Sequence, residues 1–394
     1  MTSFYAEWLN LLLRWAHMIV GIAWIGASFH FVWLDFSLRR RERMNEGVYG
    51  TSWMVHGGGF YHVEKYLVAP RSLPEDLHWF KWEAYLTWIT GMFLLAVQYY
   101  WNADAYLIDP AVMPLTPWGA IGISLATLAG GWLVYDGLCR SPIGRHAGLL
   151  GACVFVLIVG AAWLFGQVFS GRGALIHVGA FVGTIMAANV FMVIIPNQGK
   201  MTAQLLAGEP PDPEFGRVGK QRSLHNNYLT LPVLLMMVSN HYPLLTGHPH
   251  AWLVVALILV IGAMVRHYIN RWDAGDRFDA FAWTLPVGAV ALIGALYATV
   301  PREPPLAATG PVNDERVLTI AATHCMACHS QKPSNPVFNA APKGVHLETL
   351  ADLQRYKAEI RQQAVLGRAM PLGNTTHITD QERAELGAWI AAQQ

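Results

Sequence analysis

The sequence predicts an all-α fold in two parts, a polytopic membrane helix bundle followed by a small soluble helical domain. Three observations carry that expectation. Apolar residues make up 54% of the 394 residues and charged residues only 13%, whereas soluble domains run near a quarter charged. Apolar runs follow one another as far as Val300 and then stop. Beyond them comes the Pro-rich stretch from Pro301 to Arg316 and then about eighty residues of ordinary soluble composition. The expected organisation is therefore a bundle over 1–300, a linker over 301–316 and a soluble domain over 317–394. Sixteen Trp and thirty-six Gly fit the membrane reading, since both are favoured in or beside membrane helices. Disorder, a collagen-like chain and a disulfide-stapled secreted domain are excluded on composition. A net charge of +1 with no basic face excludes nucleic acid as a partner.

A helix needs about 20 mostly apolar residues to cross the hydrocarbon core. Eight runs meet that length: Trp8–Leu34, Tyr85–Trp101, Trp118–Leu138, Gly148–Phe169, Ala174–Ile195, Tyr228–Leu245, Ala251–Ile269 and Ala280–Val300. Pro232 and Asn240 interrupt the sixth. The first is too long for a signal-peptide core and has no small-residue cleavage site, so it reads as retained. Alternate connecting loops carry fifteen Lys and Arg on one side, among them Arg39 to Arg43, Arg140, Arg145, Arg222 and Arg271, against Arg172 alone on the other. The positive-inside rule then places both termini and the soluble domain on the periplasmic side of a bacterial inner membrane. Tyr85-Leu86-Thr87 and Tyr99 recur as Tyr228-Leu229-Thr230 and Tyr242 at one offset, a pattern that a four-plus-four internal repeat would produce.

The soluble part contains Cys325-Met326-Ala327-Cys328-His329, the spacing of c-type haem attachment. Each thiol adds to one vinyl group of the haem, and the adjacent His329 ligates iron from the proximal side. A redox-active Cys pair would not need the histidine. Met370, in Ala369-Met370-Pro371 after an expected amphipathic helix over Thr349–Leu366, is the candidate for the sixth position; His346 and His377 are its rivals. A thioether ligand raises the potential and suits an electron acceptor. The last helix should open on a capping box of Thr379 with Glu382 and turn Leu386, Trp389 and Ile390 towards the helix that bears the haem. These features resemble a small class I cytochrome c.

Ionisable residues within membrane spans are functional suspects. The histidines sort into two depths. His17, His177 and His241 lie towards the outer face and can ligate a b-type haem, with His177 and His241 the first pair and His17 next; hydrogen bonding between helices is the alternative. Arg14, three residues before His17, can snorkel outward or bind a haem propionate. Towards the inner face lie His30, His78, His225 and His267, with Glu83, Asp35 and Arg266. The loop from His56 to His62 holds three glycines between histidines and aromatics, and Gly lets backbone approach a ligand closely. Cys139 and Cys153 read as apolar filler.

The motifs His-Gly-Gly-Gly-Phe-Tyr-His from His56, His-Trp-Phe-Lys-Trp-Glu-Ala-Tyr from His78, Arg-Ser-Leu-His-Asn-Asn-Tyr from Arg222 and Ser-Asn-His-Tyr from Ser239, followed by a cytochrome c segment, resemble the membrane-bound urate hydroxylase family of bacteria over essentially the whole chain. The resemblance implies oxidation of urate with water to 5-hydroxyisourate. It implies that electrons pass to the haem c, and on to a soluble cytochrome c or terminal oxidase, without formation of hydrogen peroxide. Urate is planar and anionic, so it calls for aromatic, cationic and amide partners, and its oxidation releases protons that need a general base. His56, His62, His78, Glu83 and His225 are the catalytic candidates, and Arg222, Asn226, Asn227 and Gln198 the substrate-binding ones. The start of the first span, His17-x-x-x-Gly21-x-x-Trp24-x-Gly26, also resembles haem-b membrane proteins of the protoporphyrinogen oxidase type. A cytoplasmic substrate site and an outer haem c would stand roughly a bilayer thickness, 30 Å, apart, a distance that calls for an intermediate haem b. Two alternatives stay open: a non-catalytic membrane anchor presenting a cytochrome c, and a porphyrinogen oxidase.

Overall fold

The computed structural model describes residues 2–66, 70, 74, 76–300 and 311–393. It is mostly helical. Six helices are long and apolar enough to cross a membrane: Phe4–Ser37, Pro117–Arg140, Ala147–Val168, Gly171–Leu206, Ala251–Ala274 and Phe278–Thr299. In chain order the long helices are α1 (Thr2–Ser37), α2 (Trp82–Leu95), α3 (Pro117–Arg140), α4 (Ala147–Val168), α5 (Gly171–Ala188), α6 (Pro213–Val238), α7 (Ala251–Ala274) and α8 (Thr284–Thr299). Helices occupy all eight expected runs, but two fall short as spans. After Leu95, α2 loosens into a π turn over Ala96–Tyr100. The first half of α6 carries Glu214, Arg217, Lys220 and Arg222, and the helix stops at Val238 rather than Leu245. Helix α5 continues through a π turn, Asn189–Ile194, into Ile195–Leu206.

Local chemistry sets the ends. Thr116 caps α3 by accepting from the Gly119 N–H, with Pro117 in the first turn, where its missing N–H costs nothing. The bundle core comprises Tyr135, Leu150, Ile158, Phe165, Val178, Ile185 and Val255 from α3, α4, α5 and α7. Helix α1 packs on α2 and leaves Trp8, Leu12 and Ile19 exposed, a face that lipid rather than water would cover. Thr87 and Thr230, which occupy matched places in the expected repeat, donate to the carbonyls of Glu83 and Asn226 four residues earlier.

The segment expected as a glycine-rich ligand loop is instead an antiparallel hairpin, β1 (Val48–His56) and β2 (Gly59–Tyr66). Its register pairs Trp53 with His62 and His56 with Gly59. Gly57 and Gly58 carry φ of 60° and 81°, the pair of positive values that a two-residue type I′ turn requires. The alternating β-branched and aromatic residues of Val48–His56 are the strand signal, and the glycines turn the chain.

After residue 310 the chain forms α9 (Asp314–His324), α10 (Leu350–Arg355) and α11 (Asp380–Ala392). The linker expected over 301–316 lies outside the described residues as far as 310. Thr349 with Asp352 and Thr379 with Glu382 form capping boxes. The helix expected over Thr349–Leu366 is broken into Leu350–Arg355, Lys357–Ile360 and a π turn over Arg361–Leu366. Val317, Ile320, Leu353, Leu386, Trp389 and Ile390 form this part's own core, and Trp389 Nε1 donates to Asp314 at 2.7 Å. The segment sits against the bundle. A Cβ on Gly373 would come within 2.8 Å of the carbonyl oxygens of Asp104 and Ala105, and one on Gly247 within 2.8 Å of the Arg368 nitrogen.

Candidate functional site

A cavity of about 1400 Å³ lies between the bundle and the C-terminal segment. Its C-terminal wall carries Cys325, Cys328, His329 and Met370, and its bundle wall carries Arg14, His17, Arg172 and His241. It reaches as deep as Trp24 and Gly26 on α1 and Met186 on α5. Among the described residues no three His, Cys, Asp or Glu side chains converge as an ion site.

The C-terminal wall fits a covalent haem. Helix α9 ends at His324, and the next turn is closed by Cys328 N and His329 N donating to the Cys325 carbonyl at 3.1 and 2.8 Å. Both cysteines are unpaired. Burial pushes the Cys325 thiol up to about 11 and raises that of Cys328, the opposite of what a redox-active pair needs. The Nδ1–H of His329 donates to the Val345 carbonyl at 3.0 Å. That bond fixes the tautomer and leaves the Nε2 lone pair for a ligand. Met370 is held by its backbone. Its N–H donates to Gln363 O at 3.0 Å, and its carbonyl accepts from Arg383 Nη1 at 2.8 Å. Arg383 also donates to Ala364 O at 2.6 Å. It is buried, and burial brings its guanidinium down to about 10. His346 and His377 do not line the cavity, whereas Met370 does.

The three outer histidines separate. Fully buried His177 has both nitrogens engaged, Nε2 with Ser124 Oγ at 2.7 Å and Nδ1 with the Gly173 carbonyl at 2.7 Å, and its ring packs on Phe169. It does not line the cavity. His17 and His241 do.

At the far end of the helices lies a buried polar network. Arg222, 1% exposed, donates to Asp136 at 2.7 Å and sits over the rings of Tyr135 and Trp132. Asp136 also accepts from Arg140. Asn189 Nδ2 donates to the Tyr135 hydroxyl at 3.0 Å and to Asn226 Oδ1 at 2.9 Å. The Tyr135 hydroxyl also meets His225 Nδ1 at 2.6 Å and the Cys139 thiol, and either of these can take its proton. Asn226 Nδ2 donates to the carbonyl of Met186, so the network abuts the floor of the cavity.

A second cation sits beside it. Arg266, 4% exposed, donates to Asn227 Oδ1 at 3.4 Å and Asn270 Oδ1 at 3.2 Å, with Phe29 under its guanidinium at 4.2 Å. Among the described residues no carboxylate lies within 4.0 Å of it. Asn227 Nδ2 is buried and has no partner. Next along α7, His267 Nδ1 accepts from the Tyr228 hydroxyl or donates to it at 2.7 Å.

The remaining candidates are not gathered here. His56 is exposed at the hairpin end, and His62 is exposed with its ring on Trp53. His78 is exposed and packs on Phe80. Glu83 is half-buried in the first turn of α2, and Gln198 is exposed. Of the catalytic and substrate candidates the structure therefore brings together Arg222, His225 and Asn226, with Asn227 adjacent through Arg266. Tyr135 and Asn189 were missed because an aromatic and an amide scattered through apolar helices carry no spacing signal. Asp136, inside the third expected run, and Arg266 did carry one, since a charge within an apolar run is costly.

No curated protein and no solved structure matches the chain. Residues 3–300 match the urate oxidase N-terminal family, which covers α1 to α8 and ends ten residues before the C-terminal segment is again described. By that match over most of its length, the chain belongs to the urate oxidase N-terminal family.

Proposed function

We propose that the protein oxidises urate within the membrane bundle and passes the electrons to a haem c carried by its own C-terminal segment. The observation that carries this reading is the cavity. One space touches the Cys325/Cys328 attachment site at one end and at the other reaches Met186, whose carbonyl accepts from Asn226 of the buried Arg222–Asn189–Asn226–His225 network. The reaction is urate plus water giving 5-hydroxyisourate, two electrons and two protons. Haem c, held by Cys325, Cys328, His329 and Met370, would supply a one-electron acceptor, so the pair leaves in two transfers and dioxygen is not required.

The chain's own residues divide the remaining work. Arg222 is neutralised by Asp136. Arg266, held only by amides and an aromatic face, is the cation left for a urate anion, and the free Asn227 N–H donates to a purine carbonyl. A buried charge is stabilised by a partner of opposite sign, and amide donors beside it set the orientation of a planar ligand. His225 Nδ1 and the Tyr135 hydroxyl stand 2.6 Å apart, so the pair can pass a proton between them in the reaction. The lysine and arginine asymmetry of the loops supports a cytoplasmic substrate side and a periplasmic cytochrome.

Urate added to anaerobic membranes containing the full-length protein should reduce the c-type absorbance band, with no hydrogen peroxide released when air is admitted. No reduction by urate would overturn the reading and leave an electron-transfer anchor.

A further inference from the structure

We propose that the bundle half of the cavity binds a second, non-covalent haem, with His17 Nε2 as iron ligand and Arg14 and Arg172 as partners of its propionates. The inference stands apart from the identity of the substrate. It rests on the tautomer of one histidine, on two cations without counter-ions, and on the size of the space.

The tautomer of His17 follows from its neighbour on α2. The Thr90 hydroxyl has one proton, and it donates to the carbonyl of Leu86 at 2.6 Å in the usual back-bond of a helical threonine. Its oxygen can then only accept at the 3.0 Å contact with His17 Nδ1. His17 therefore carries its proton on Nδ1 and presents a lone pair at Nε2, the arrangement of a metal-ligating imidazole oriented by a second hydrogen bond. His177 cannot play this part, since both its nitrogens are taken. His241 lines the same cavity, and its ring makes no hydrogen bond among the described residues. It is the candidate for the opposite axial position.

The charges call for an anion. Arg14 is held by neutral groups, with Nε donating to Asn10 Oδ1 at 2.5 Å and Nη2 to Gln98 Oε1 at 3.2 Å. Arg172 Nε is buried without a partner. Among the described residues neither guanidinium has a carboxylate within 4.0 Å. Both line the cavity, as do Tyr99 and Tyr106. Two cations with no carboxylate within 4.0 Å, on a bundle wall that is mostly apolar, fit a ligand that is apolar in body and carries two carboxylates at one edge. The cavity's 1400 Å³ exceeds the roughly 300–1,000 Å³ of a site for one small ligand, leaving room beyond the covalent haem. Gly91 on α2 keeps the histidine's approach open: a Cβ there would lie 3.0 Å from His17 Cε1. A quinone would satisfy neither arginine, and a phospholipid would not use the imidazole lone pair.

The test is haem content by type in purified full-length protein. Acid–acetone should extract a b-type haem from the wild type and leave the covalent haem on the chain, as read by pyridine haemochrome spectra of the two fractions. His17→Leu should lose the extractable haem and keep the covalent one, whereas His177→Leu, if it folds, should keep both. Thr90→Val should retain the haem with a shifted reduction potential, and Arg14→Gln should lose haem on gel filtration more readily than the wild type. Wild-type protein with covalent haem only, or His17→Leu with undiminished extractable haem, would overturn the proposal. If His17→Leu does not fold, an unchanged potential in Thr90→Val together with unchanged haem retention in Arg14→Gln would do the same.

Discussion

Two buried arginines on neighbouring helices differ in one respect, the presence of an acid. Arg222 is paired with Asp136 and Arg266 only with amides, so removing one charge at each place should do different things. Asp136→Asn strands a buried charge and should cost about 3–5 kcal/mol of stability, seen as a lower melting temperature in detergent. Arg266→Gln removes a charge that has no partner to strand. It should instead raise KM for urate about tenfold or more, on the basis of about 1.5–3 kcal/mol for a hydrogen bond to a charged group, with the c-type spectrum unchanged. Both arginines were visible in the sequence as polar intrusions, but Arg222 alone was chosen for substrate. Its acid partner lies 86 positions away on another helix, and pairing across that separation is a property of packing.

The long helices were legible because apolar length is a one-dimensional signal. The two that fall short show where it weakens: α6 mixes a charged half with an apolar half, and α2 changes to a π turn that no composition announces. The hairpin was misread because three glycines between histidines suit a ligand loop as well as a turn, and only the paired φ values of Gly57 and Gly58 decide. Capping was the most readable feature. In the box of α11, burial works to raise Glu382, but hydrogen bonds from the Thr379 N–H and hydroxyl, with the His324 charge, hold its carboxyl below the usual 4.5. In α10 the Thr349 hydroxyl and N–H likewise hold Asp352 below 3.8. A depressed carboxyl stabilises the fold fully above its unfolded value and loses that contribution as pH falls through the folded one. The melting temperature of the C-terminal segment, followed by haem absorbance in the full-length protein, should therefore begin to fall as pH drops below about 4.5. In a Thr349→Ala, Thr379→Ala double variant the fall should be shallower.

At the scale of the whole chain, the sequence leads one to expect a substrate layer and a cytochrome a bilayer thickness apart. In the structure the cavity spans much of that interval, and on α1 the Arg266 level at Phe29 stands roughly 18 Å from His17 at 1.5 Å per residue. The docking of the C-terminal segment, which brings the thiols onto this cavity, had no trace in either half read alone. It depends on Gly373 lying against Asp104 and Ala105 and on Gly247 lying against Arg368. Gly373→Val should push the segment off its seat. Urate oxidation measured with an artificial acceptor should persist while urate-driven reduction of the c band slows; equal loss of both activities would count against docking as the link.

Those two close contacts leave no thickness for a side chain, so the C-terminal segment is seated directly on the backbone of the bundle. If the proposed haem c is held there, its distance from the bundle would be set by this seat, and the speed of internal charge transfer would follow driving force rather than how often a tethered carrier collides with its base. Inserting a few flexible residues after Val300 should leave that speed untouched.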